Sequence, residues 1–86
     1  MQNLKEDLVS DLFRTGAIKA FSLEIREAQA MIHYKMLDGT PGCIHTKRGQ
    51  PKEYRIETAL RFLRVLGVVG VSVDMTAWTV GQKGLL

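Results

Sequence analysis

The spacing of apolar and polar residues changes period along the chain, and each change predicts an element. Leu4, Leu8, Val9, Leu12 and Phe13 recur at helical spacing, with Lys5, Asp7, Asp11 and Arg14 turned away from them. Asn3, with Glu6 three residues on, has the spacing of an N-cap and its returning carboxylate, and Gly16 is a natural stop. From Ala17 to Leu37 the period falls to two. Phe21, Leu23 and Ile25 alternate with polar residues, as do Ala30, Ile32, Tyr34 and Met36 after the link Arg26-Glu27-Ala28-Gln29. Two such runs predict an antiparallel hairpin, pairing Ile25 with Ala30, Leu23 with Ile32 and Phe21 with Tyr34 on one buried face.

Asp38-Gly39-Thr40-Pro41-Gly42 marks a turn into a third strand over Cys43–Thr46, in which Ile44 continues the buried face. A loop with Gly49 and Pro51 follows, and then a helix from about Glu57 to Leu66. Ile56, Ala59, Leu60 and Leu63 form its apolar stripe, widened by Phe62 and Leu66. Gly67 ends it, and the β-branched run 68–74 predicts a last strand with Val69, Val71 and Val73 inward, parallel to a neighbour or extending an edge. Trp78 is expected to cover the edge of the core, and 79–86 to form a mobile tail. The expected fold is α+β: one small domain over 1–86, in the order α-β-β-β-α-β, with an antiparallel sheet and helices packed on one face.

Charge alters this picture in one place. Between residues 43 and 64, Lys47, Arg48, Lys52, Arg55, Arg61 and Arg64 stand against Glu53 and Glu57, a balance of +4 in a chain whose formal net charge is +3. The rest of the chain is therefore slightly acidic. Basic residues confined to a glycine-containing loop and the helix after it favour an anionic partner, with DNA phosphates first among them. Glu57 opposes this, because it occupies the helix N-terminus where a phosphate would sit. Two other readings stay open. The patch is either a solvated basic edge that discourages sheet-to-sheet pairing, or a surface for an acidic protein. No stretch is long and apolar enough for a membrane span, so no membrane role is expected. The single cysteine, Cys43, fits a reducing compartment, and the acidic start of the chain does not resemble a secretory signal. Cytoplasmic is the expected location.

Catalytic chemistry finds little support. His33, Cys43 and His45 are the only clustered ligand types, and pairing Leu37 with Cys43 places all three on the outer sheet face. Three ligands would leave zinc an open position, but tight motif spacing and an orienting carboxylate are missing. Neither a carboxylate pair nor a glycine-rich phosphate loop occurs. The expectation is no enzyme, no metal and no cofactor.

Thr46, Arg48-Gly49, Arg55, Ala59, Phe62-Leu63-Arg64, Leu66-Gly67, Val73-Asp74 and Trp78 form a pattern over residues 44–78. It resembles small partition-associated proteins of bacterial plasmids and integrated mobile elements. The resemblance implies a bacterial accessory protein tied to plasmid maintenance or DNA, and no catalytic residues. The α-β-β-β-α order is also similar to double-stranded-RNA-binding domains. There, however, the lysine cluster opening the last helix is replaced by Arg55-Ile56-Glu57, and an extra strand follows.

The expectation is a small DNA-associated accessory protein acting through the six basic residues. The alternative is an interaction module that forms a homodimer or binds another protein through its first helix or the Trp78 end.

Overall fold

The hairpin predicted from the period-two stretch is the centre of the sheet. A computed structural model describes residues 2–78, with backbone only at 2 and 3. In it β2 (Ile18–Arg26) and β3 (Gln29–Met36) pair antiparallel, with Phe21 opposite Tyr34, Leu23 opposite Ile32 and Ile25 opposite Ala30. Arg26 also pairs with Gln29, which leaves Glu27 and Ala28 as the connection, with Glu27 in the left-handed region at φ 53°. The α-β-β-β-α-β order is present. Helix α1 (Glu6–Arg14), then β2, β3 and β4 (Pro41–Ile44), helix α2 (Ile56–Leu66) and β6 (Ser72–Asp74) follow one another.

Two short strands add to that order. Strand β1 (Gln2–Leu4) pairs parallel with β4, and β5 (Glu53–Arg55) pairs antiparallel with β3. The sheet is therefore mixed, in the order β1-β4-β3-β2-β6, with β5 sharing β4's side of β3. One face is covered. Val9 of α1 and Ala59 and Leu63 of α2 close over Ile18, Phe21, Leu23, Ile25, Ile32 and Ile44 in a single cluster. This apolar burial is the main stabilising term for the fold.

Four expectations are corrected. Asn3 does not cap α1, because its backbone pairs with Cys43 in β1. The helix starts at Glu6 after Lys5, with no side-chain cap. The third strand begins earlier than expected: Cys43 stands opposite His33, and the turn closes through a Met36 N–H to Thr40 carbonyl bond. The shift is even-numbered, so the faces are preserved. The run 68–74 is a strand only at 72–74, parallel to β2 at the sheet's edge. After Gly67 the chain turns back on α2, with Val68 N–H bonded to the Leu63 carbonyl. Val69 is left 87% exposed and Val73 half exposed. Trp78 does not cover the core, since it remains 40% exposed. The expected tail at 79–86 lies outside the described residues.

Candidate functional site

Strands β4 and β5 lie end to end beside β3: Cys43 faces His33, and Glu53 faces Met31. Residues 45–52 leave that line and return to it as a finger. Its base is closed by a His45–Pro51 bridge and by Lys52 N–H to the Ile44 carbonyl. Its tip is a tight turn. Gly49 N–H bonds the Thr46 carbonyl at 2.9 Å, and Thr46 N–H bonds the Gln50 carbonyl at 2.7 Å. Gly49 takes φ 83°, the left-handed position that a three-residue hairpin loop with a bulge requires. The Thr46 hydroxyl also accepts from Arg48 N–H and Gln50 N–H, which stiffens the turn. Lys47 and Arg48 are the two central residues, and both side chains are exposed.

The remaining predicted residues are spread around this finger. Lys52, at its base, donates to Glu6 Oε2 at 3.0 Å and lies 5.2 Å from the centroid of the Tyr54 ring. The Tyr54 hydroxyl donates to the same oxygen. Burial pushes the Glu6 carboxyl up, but the bonds from Tyr54 and Lys52 outweigh it and hold the group below its ordinary value. Burial first, and then the hydrogen bond to Glu6 and that carboxylate's charge, push the Tyr54 phenol far up. Lys52 is thus largely committed to joining α1 to the finger's base.

Strand alternation turns Tyr54 into the core and leaves Arg55 toward the open sheet face. Arg61 and Arg64 project from the exposed side of α2, and Arg61 stands 3.7 Å from Glu57 in a solvent-exposed pair of little energetic weight. Among the described residues Lys47, Arg48, Arg55 and Arg64 make no ion pair. The structure therefore brings Lys47 and Arg48 together at the tip and aligns Arg61 with Arg64. It does not join all six in one continuous line. A hollow of about 210 Å³ beside the finger, bordered by Lys5, Lys47 and Lys52, also contains Glu6 and Asp7.

The uncovered face of the sheet carries a polar network that the sequence reading missed. His33 Nε2 donates to Glu24 Oε1 at 2.8 Å, and Arg26 bonds Glu24 Oε2 through Nε and Nη2 at 3.0 and 2.9 Å. Burial raises the Glu24 carboxyl, and these bonds bring it below its ordinary value. Glu24 and His33 line a shallow groove of about 400 Å³ that also reaches Lys35 and Asp74. The hairpin register held the signal, since it sets Glu24 diagonally across from His33. Because Nε2 is taken by the carboxylate, the pair is a structural tie across the strands.

His33, Cys43 and His45 share this face, as expected. His45 Nδ1 donates to the Cys43 carbonyl at 2.9 Å, and the Cys43 thiol is buried and pushed up by that burial. Among the described residues no three His, Cys, Asp or Glu side chains converge on a metal-binding point. No helix there is long and apolar enough to cross a membrane. No protein-family model, curated protein or solved structure matches the chain.

Proposed function

We propose that this chain is a small non-catalytic DNA-associated protein that sets the tip of its 45–52 finger against the phosphate backbone. The observation that carries the proposal is the turn itself. Two adjacent cationic side chains occupy the central positions of a loop stiffened by Gly49 and the Thr46 hydroxyl, with no carboxylate paired to either among the described residues. A stiff loop loses little conformational freedom when it binds, so its contacts are worth more than those of a mobile basic segment. Arg55, Arg61 and Arg64 would add phosphate contacts as the body approaches, and Lys52 would hold the finger rather than touch the ligand. Affinity built from such contacts is salt-dependent and largely indifferent to sequence. The resemblance over 44–78 extends the proposal to a cytoplasmic accessory role in plasmid or mobile-element maintenance.

The test is a fluorescence-anisotropy titration of a short duplex and a single strand over a series of salt concentrations. Wild type should bind with a negative slope of log affinity against log salt. The Lys47→Ala/Arg48→Ala variant should flatten that slope by roughly two contacts' worth, about 1.8 on duplex DNA, with its thermal stability unchanged. No binding at low salt, or the same slope in the variant, would refute the proposal.

A further inference from the structure

The finger carries a polar side chain for which phosphate contact has no use. Gln50 follows the basic tip and is exposed, and its side-chain amide forms no hydrogen bond among the described residues. Its backbone, by contrast, is held twice. Gln50 N–H meets the Thr46 hydroxyl at 3.4 Å, and the Gln50 carbonyl accepts from Thr46 N–H at 2.7 Å. A neutral amide adds nothing to charge neutralisation. It offers a donor and an acceptor side by side, the pair that adenine N7 and N6 match in the major groove of duplex DNA. Arg48, two residues earlier, is exposed and makes no ion pair among the described residues, and its planar fork matches guanine O6 and N7.

The finger's dimensions fit the same groove. Above the His45–Pro51 bridge it rises through Thr46 opposite Gln50 and then closes in the turn. At about 3.4 Å per residue the tip stands roughly 7 Å above that bridge before side chains are added, against a major groove about 8.5 Å deep. Its two arms have backbones about 5 Å apart. With side chains they fill a groove about 12 Å wide and are too broad for the minor groove, about 6 Å wide. Stiffness points the same way. Charge neutralisation asks for no fixed loop shape, whereas reading a base edge requires each donor to be held in place. The Thr46 hydroxyl and the left-handed Gly49 supply that constraint.

We propose that the finger enters the major groove of duplex DNA and reads base edges there, Arg48 contacting a guanine and Gln50 an adenine. Base reading in this form presupposes the phosphate contact proposed above and adds a sequence preference to it. Lys47 stays with the phosphates, and Arg48 in the groove still lies between two charged backbones. Residues two apart span at most about 7 Å. The two bases therefore lie within about two base-pair steps of each other, at roughly 3.4 Å per step.

A duplex pool with randomised central base pairs, selected on the full chain at moderate salt and sequenced, should enrich guanine and adenine at that spacing. In anisotropy titrations on the selected duplex, Gln50→Ala should weaken binding roughly tenfold. It removes no charge, so its affinity for the unselected pool and its salt slope should match wild type. Arg48→Lys keeps the charge and loses the fork, so the guanine preference should disappear while the salt slope remains. Replacing the selected guanine and adenine with their 7-deaza analogues removes the N7 acceptors from the major groove, and should weaken wild type as the variants do. Salt-dependent binding without enrichment of any sequence would overturn base reading and leave phosphate contact standing. So would a Gln50→Ala variant that binds the selected duplex as wild type does. A wild type that binds no duplex at low salt would overturn both.

Discussion

Gly42 stands directly opposite Tyr34 in the β3–β4 pair, and the Tyr34 ring occupies the space that a side chain at residue 42 would need. A β-carbon there would overlap ring atoms Cε1 and Cζ and the phenol oxygen. The ring cannot swing away freely, because Tyr34 is only 3% exposed. Its hydroxyl is buried and meets no hydrogen-bond partner among the described residues. Gly42→Ala is therefore an overpacking change at a site with no slack. Overpacking costs about 1–3 kcal/mol, and the clash with three ring atoms puts this case near 3 kcal/mol. Alanine returns about 0.5–1 kcal/mol, because it loses less conformational freedom on folding than glycine does. The net loss is about 2 kcal/mol, or a fall in melting temperature of roughly 8–16 °C for a chain of this size. Urea unfolding followed by circular dichroism measures it. The explanation also fixes a double-mutant cycle. With Tyr34→Leu in place the ring is gone, and Gly42→Ala should become neutral or slightly stabilising, a coupling of about 2 kcal/mol. An equal loss in both backgrounds, or a loss under about 0.5 kcal/mol in the wild type, would refute the reasoning.

The Glu6–Lys52–Tyr54 cluster predicts stability limits at both ends of the pH scale. Glu6 is held below its ordinary value, so the unfolded chain binds its proton first and stability is lost as pH falls through the carboxylate range; Glu6→Gln should flatten that limb of the urea midpoint against pH. The Tyr54 phenol is pushed up, so above about pH 10 the unfolded chain releases its proton first and stability falls as pH rises. Tyr54→Phe should remove that alkaline limb while losing about 1.5–3 kcal/mol at neutral pH, the worth of a hydrogen bond to a charged group. At the β2–β3 turn, Glu27→Gly should raise stability by roughly 0.5–1 kcal/mol by thermal melt, because a left-handed residue with a β-carbon is replaced by one without.

The sequence revealed most where one face of an element is buried and the other wet. The β2–β3 register was legible to the residue, because a one-residue slip would turn Phe21, Leu23 and Ile25 out to solvent. Strands β1 and β5 were not legible. Three residues carry too little periodicity, and Asn3 has the same chemistry whether it caps a helix or pairs with Cys43. The run 68–74 misled for a related reason. Its valines have high strand propensity, but Gly67 and the Val68 N–H bond to Leu63 hold its first half against α2. At the candidate site the basic tip was legible from Lys47-Arg48-Gly49. The fate of Lys52 was not, because its partner Glu6 lies far away in sequence, and no local pattern announces such a pairing.

The finger interrupts a strand without interrupting the sheet. Because β4 and β5 occupy one line along β3, the ladder resumes at Glu53 as though residues 45–52 had been spliced into a continuous strand. Core and tip are then governed by separate constraints. Register is held by Tyr34 over Gly42 on one side of the splice and by Ala30 against Tyr54 on the other, and neither depends on what stands at residues 47 and 48. The chain can therefore exchange its tip chemistry, or lengthen the loop, at little cost to the fold. Tip chemistry and stability can drift independently.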